Sequence, residues 1–140
     1  MNNILLFLWQ LPQIILGWIL GLFYPAEKSL VYKGIKVIVN KKFPSGISLG
    51  NVIIVKKFPH DYQTWVTVKH EYGHTVQSRK WGWLYLIVIG LPSLCCCVWS
   101  KLFHTRDRGW SISDSNKWYY NLPWEKAADE LGGVDRWGTL

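Results

Sequence analysis

Two long apolar stretches decide most of what this chain can become. They occupy residues 4–24 and 81–99, and a basic segment separates them. Either run is long enough to enter a bilayer core as a helix. Neither is clean: Gln10, Pro12 and Gln13 interrupt the first, and Gly90-Leu91-Pro92-Ser93 breaks the second at its middle. No basic residue precedes the first run and no small-x-small site closes it, so a cleaved signal peptide fits poorly. The expectation is an uncleaved anchor or a partly sunk helix, with a buried core helix as the alternative.

With 140 residues the chain suits one domain. Residues 1–26 are expected to form a membrane-associated N-terminal helix and residues 27–140 the domain proper. Ten tryptophans support a membrane partner, because an apolar ring with a polar N–H suits the bilayer interface. The net charge is +7, and its excess lies in residues 27–80, where Glu27, Asp61 and Glu71 are the only acids. Such a stretch can face anionic headgroups. No nucleic-acid motif accompanies it, so no nucleic-acid partner is expected. The positive-inside rule assigns this stretch to the cytoplasmic side. Cys95, Cys96 and Cys97 are consecutive and odd in number, which argues against a disulfide framework. They read as small buried or lipid-facing residues, with acylation as the alternative, and fit a reducing compartment.

Residues 31–39 and 47–55 are rich in Val and Ile, and Phe43-Pro44-Ser45-Gly46 supplies turn residues between them. They predict two strands in a hairpin or small antiparallel sheet. A helix is predicted over 63–80, capped by Asp61. Residues 104–116 are polar and read as a loop. A last helix begins near Pro123 and ends at Gly132-Gly133.

The chemistry sits in Val68-Lys69-His70-Glu71-Tyr72-Gly73-His74-Thr75-Val76. Histidines four apart on a helix share a face, so both imidazoles can reach one ion. Zinc takes imidazole nitrogen and prefers four ligands. Glu71 follows the first histidine and is placed to take a proton from a water on the metal. In Pro123-Trp124-Glu125-Lys126-Ala127-Ala128-Asp129, Glu125 is the candidate third ligand. Asp129, one turn on, can accept the free N–H of a zinc histidine. The alternative is a solvated helix face. His104, Tyr119 and Tyr120 are candidate donors to a developing oxyanion, and His60 reads as a loop histidine.

His-Glu-x-x-His followed by Glu-x-x-x-Asp resembles the gluzincin branch of the zincin metallopeptidases. Thr67, Val68, Thr75 and Val76 also match the usual zincin flanks. The resemblance implies a zinc-dependent peptidase acting on a peptide or protein substrate. His70, His74 and Glu125 would bind zinc, Glu71 would be general base and proton donor, and Asp129 would support a ligand. It further implies a substrate-aligning edge strand before the active-site helix, matched by residues 49–55. It covers two short helices and not the apolar segments, and the separation of His74 from Glu125 exceeds that of the tightest members.

The metal reading constrains topology. A single crossing by residues 81–99 would leave His74 and Glu125 on opposite sides of the membrane. Each half of the stretch, about nine residues or roughly 13 Å of helix, is too short to span alone. The expectation is therefore an α+β zincin-like domain in which residues 81–99 form a re-entrant or interfacial hairpin, or pack within the protein. The competing readings are an intramembrane protease resembling the site-2 class, opposed by Lys69, Gln77, Ser78, Arg79 and Lys80, and a non-enzymatic zinc-binding or basic membrane-surface protein.

Overall fold

A computed structural model describes residues 3–136. The elements run α1 (Asn3–Trp9), α2 (Leu11–Phe23), β1 (Lys28–Tyr32), β2 (Ile35–Asn40), β3 (Gly46–Leu49), β4 (Val52–Lys56) and α3 (Asp61–Trp81). A π-helical turn (Leu86–Gly90), α4 (Leu91–Phe103), a 3-10 turn (Arg106–Arg108), α5 (Ile112–Tyr120) and α6 (Pro123–Gly132) follow. The fold is α+β, with six α-helices and one small mixed sheet among the described residues.

Each expected strand is folded in two. Lys33 and Gly34 take φ of +48° and +80°, the backbone of a two-residue turn whose twist matches its flanking strands. Tyr32 therefore stands opposite Ile35, and β1 pairs antiparallel with β2. Gly50-Asn51 likewise joins β3 to β4, with Leu49 opposite Val52.

The sheet order is β1-β2-β4-β3. After β2 the chain skips one strand position, lays β3 at the edge and fills the gap with β4, parallel to β2. The expected all-antiparallel sheet is thus corrected to a mixed one. Asn40 shapes the skip: its amide donates to the Pro25 carbonyl at 2.7 Å and its Oδ1 accepts from the Lys42 N–H at 2.8 Å. Phe43 is buried just beyond. The assignment of residues 49–55 as the edge strand is corrected with it, because β4 is interior and β3 is the edge.

Both faces of the sheet are covered, which explains why β2 and β4 read as continuous Val/Ile runs. Val37, Val39, Ile53 and Val55 pack with Val68 of α3 on one face. Ile38, Val52 and Ile54 pack with Leu20 of α2 on the other. Burial of each such side chain is worth about 1.5–3 kcal/mol.

The first apolar stretch divides at Gln10 into α1 and α2. The Gln10 amide donates to Ser78 Oγ at 2.6 Å, and the Gln13 amide donates to the Gly82 carbonyl. These bonds dock α2 on the end of α3. Its outer face, with Trp18, Leu22 and Phe23, stays exposed. α3 begins at Asp61, two residues before the expected start at 63, so the expected cap is corrected to His60, whose side chain makes no cap hydrogen bond. Asp61 instead lies in the first turn, where a carboxylate suits the helix dipole.

The second apolar stretch is not broken into a hairpin at Gly90-Pro92. Helix continues through it, and the π turn just before Pro92 accommodates the N–H that proline lacks. The return comes later, in α5 (residues 112–120), whose first half lies in the segment 104–116 expected to be loop. Ser93 Oγ meets the Tyr119 hydroxyl at 2.9 Å and Ser100 Oγ meets Ser115 Oγ at 2.6 Å, so α5 runs back along α4. Ser111 caps α5 by accepting from the Asp114 N–H at 3.0 Å. The segment Leu86–Phe103 is long and apolar enough to cross a membrane by length and composition, and only 11% of it is buried within the protein.

α6 closes against α3. A Cβ on Gly73 would overlap the Ala128 carbonyl, and one on Gly132 would overlap the Lys69 carbonyl. The absent side chains let two backbones meet, and this contact brings the C-terminal segment to the histidines.

Candidate metal centre

His70 and His74 lie one turn apart on the buried face of α3, and their rings sit 4.8 Å apart. α6 directs Glu125 at both. His70 Nε2 is 3.0 Å and His74 Nε2 is 3.3 Å from Glu125 Oε2. Ligand atoms of the three residues all lie within 4.8 Å of one another, and all three residues are buried. The edge of a zinc tetrahedron with 2.0–2.1 Å bonds is about 3.3 Å. Both imidazole–carboxylate distances are of that order.

The remaining nitrogens are committed elsewhere. His70 Nδ1 is 2.7 Å from Asp129 Oδ1, an acceptor, so Nδ1 carries the proton. His74 Nδ1 is 2.8 Å from Gln77 Oε1. The orientation of that amide is set by its own Nε2, which donates to the Trp124 carbonyl at 2.8 Å. Neutral imidazoles held this way turn two Nε2 lone pairs toward a carboxylate oxygen. Positive charge must sit among the three, as a further proton or as a metal cation.

Without a metal, the proton takes that place. Burial disfavours the His70 cation, but the hydrogen bonds to Asp129 and Glu125 outweigh it and push its pKa up to about 9. Burial also disfavours a charged Glu125, yet the two imidazoles hold its carboxyl well below the usual carboxylate range. Burial raises the Glu71 pKa, only partly offset by His74 and His70. The Glu71 carboxylate lies against β3, where a Cβ on Gly46 would overlap it.

Asp129 is held in turn by Arg136, whose Nε donates to Oδ2 at 2.7 Å. The Arg136 guanidinium covers the Tyr120 ring at 3.5 Å, and that ring meets His70 edge-on at 5.3 Å. Tyr119 donates to Glu125 Oε1 at 3.1 Å, leaving Oε2 to the imidazoles. Burial and the Glu125 charge push its phenol pKa upward.

The structure therefore brings together His70, Glu71, His74, Glu125 and Asp129. Of the three suggested oxyanion donors, Tyr119 holds Glu125 and Tyr120 packs on His70. His104 stacks on Trp110 at 3.7 Å, at the far end of α4, about 16 Å along the helix from Ser93. His60 is exposed at the start of α3.

Sequence reasoning missed Gln77, Arg136 and Tyr85. Gln77 was readable, three residues after His74 and so on the same helix face. Tyr85 is buried, with its ring 6.3 Å from that of His74. Its only sequence signal was a phenol inside an apolar run. No protein-family model matches the chain, and neither a curated protein nor a solved structure matches it.

Proposed function

We propose that the chain is a membrane-associated, zinc-dependent metallopeptidase of gluzincin-like design. Carrying this reading is the meeting of His70 Nε2 and His74 Nε2 with Glu125 Oε2, at 3.0 and 3.3 Å, with both Nδ1 atoms already occupied. That donor set fits zinc: two imidazoles and one carboxylate, buried, with an acceptor behind each ring. Bound there, zinc supplies a Lewis acid and makes water acidic enough to attack near neutral pH.

The chain's own residues do the rest. Asp129 and Gln77 hold the tautomers and the ring planes, and Tyr119 fixes the rotation of the Glu125 carboxylate. Glu71 accepts a proton from the attacking water at its carboxylate and passes it to the leaving amine. Its upward-shifted pKa suits a group that must both take and give a proton. β3, the sheet edge beside Glu71, offers backbone to an extended substrate.

The membrane part of the proposal rests on two exposed apolar faces. α2 presents Trp18, Leu22 and Phe23, and α4 presents Leu94, Trp99 and Leu102. Faces of this extent are surfaces awaiting a partner, and the basic excess in residues 27–80 favours an anionic bilayer. On the positive-inside rule the active site faces the cytoplasm.

The test is metal analysis of the purified chain together with a Glu71→Gln variant. One equivalent of zinc in both proteins, with peptide hydrolysis lost only in the variant, is the expected result. Failure to bind zinc ends the enzyme reading. Zinc retained without hydrolysis of any peptide leaves a structural metal site.

A further inference from the structure

His70, His74 and Glu125 are all buried. His70, Glu71 and His74 line a cleft of about 840 Å³ to which α2, β3, α3, α4 and α5 all contribute side chains. The volume lies toward the upper end of the range for small-ligand sites, about 300–1,000 Å³, and admits several side chains at once.

Its mouth is apolar. Leu16 and Ile19 of α2 and Leu91 and Leu94 of α4 line the cleft. The same four residues are 43%, 45%, 56% and 57% exposed. They belong at once to the cleft and to the outer apolar faces, so whatever covers those faces also meets the mouth. An aqueous peptide with polar side chains would desolvate them against leucine and isoleucine, at a cost of about 1–3 kcal/mol per unpaired group. An apolar chain already in a bilayer incurs no such cost. Lys101 also lines the cleft, and the chain's net charge of +7 is complementary to an anionic bilayer.

Two observations favour a polypeptide over a lipid chain as occupant. Gly46 to Leu49 of β3 line the cleft, and their strand is paired on one side only. Its free N–H and C=O groups suit the amides of an extended chain, and an acyl chain has nothing to offer them. The Glu71 carboxylate lies against this strand, so a backbone seated there passes beside the proton acceptor.

We propose that the cleft between α2 and α4 binds a hydrophobic polypeptide segment presented from a lipid bilayer, making the substrate a membrane-inserted protein or peptide rather than a soluble one. The inference rests on the peptidase reading above, and binding is measured apart from cleavage.

The experiment uses the zinc-loaded Glu71→Gln chain with vesicles of mixed phosphatidylglycerol and phosphatidylcholine. The probes are two dansyl-labelled peptides of equal length and charge, one flanked by Leu, Val and Phe and the other by Ser and Gln. Energy transfer from tryptophan reports binding. The apolar peptide is expected to bind at least about tenfold tighter, in line with the discrimination of an apolar pocket. Leu16→Gln and Leu94→Gln should each remove most of that preference. Ile87→Gln, exposed on the helix leading into α4 but outside the cleft lining, should keep it.

Equal affinity for both peptides overturns the proposal. So does an equal loss in Ile87→Gln, which would mean general adhesion to the vesicle. Binding of dansyl-labelled palmitate with exclusion of the apolar peptide would assign the cleft to lipid and overturn it as well. A preserved apolar preference in a chain that hydrolyses nothing would remove the peptidase reading and leave the cleft assignment standing. Equal cleavage of both peptides by the unsubstituted chain would keep the peptidase reading and overturn the cleft assignment.

Discussion

Gly73 faces the backbone carbonyl of Ala128 so closely that a single methyl group there would overlap it. This approach of α3 to α6 sets the position of Glu125 and Asp129 over the histidines. Gly73→Ala must therefore push α6 away. Overpacking of this kind costs about 1–3 kcal/mol, and here it also withdraws Glu125, the proposed third zinc ligand. The expected outcome is a lower melting temperature and loss of stoichiometric zinc. Gly21→Ala is the control: its nearest neighbour, Ile38 Cδ1, is 3.8 Å from the new Cβ, and alanine should stabilise α2 by about 0.5–1 kcal/mol. Unchanged zinc content in Gly73→Ala would separate the helix crossing from the metal site.

Asp129 acts through His70. Its Oδ1 accepts the Nδ1 proton at 2.7 Å while Arg136 occupies Oδ2. Asparagine keeps the shape but removes the charge that raises ligand basicity. Asp129→Asn is expected to weaken zinc binding by about 10–100-fold, the usual effect of losing such a partner. Chelator competition measures it. Affinity equal to that of the unsubstituted chain would reduce Asp129 to a structural partner of Arg136.

How much of this was legible before the structure follows from where each signal resides. His70, Glu71 and His74 lie within one helical turn, so a fixed spacing carries them. Glu125 and Asp129 repeat that spacing and were found for the same reason. The mixed sheet was not legible, because Lys33-Gly34 and Gly50-Asn51 are weak turn signals inside Val/Ile-rich runs. Parallel pairing of β2 with β4 depends on a chain crossing that no local pattern encodes. Gly90-Pro92 looked like a break because proline lacks an N–H, and the π turn that accommodates it is a tertiary adjustment. α5 was hidden by the polar composition of its first half, and its hydrogen bonds to Ser93 and Ser100 of α4 leave no local pattern.

The N-terminal helices contribute to stability through two buried amides. Gln13 is fully buried, and its Nε2 donates to the Gly82 carbonyl at the end of α3. Gln13→Ala leaves that carbonyl without this partner and opens a space beneath α2. The carbonyl keeps the Tyr85 N–H at 3.1 Å, so a loss of about 0.5–1.5 kcal/mol is expected for the missing hydrogen bond, read by thermal denaturation, with zinc stoichiometry unchanged. A variant as stable as the parent would make α2 a loosely tethered segment despite its contacts.

The charge demanded by the site has a signature in the metal-free protein. The His70 pKa is raised from 6.5 to about 9, so the folded state holds a proton that the unfolded state releases earlier. That stability is fully present below pH 6.5 and is lost as pH rises through 9. Glu71, also raised, works in the same direction above the ordinary carboxylate range. Glu125, lowered, contributes fully above the ordinary carboxylate value of 4.5 and stays constant across this window. On the proposed reading zinc would replace the proton at Nε2, so its binding would release a proton below the His70 pKa and meet least competition where His70 is neutral. The stabilisation conferred by saturating zinc is accordingly expected to be larger at pH about 8.5 than at pH about 6. Melting curves with zinc and with chelator at the two pH values measure it. A metal-free melting temperature that stays flat, together with an identical zinc shift at both pH values, would mean that no buried proton occupies the place assigned to the cation.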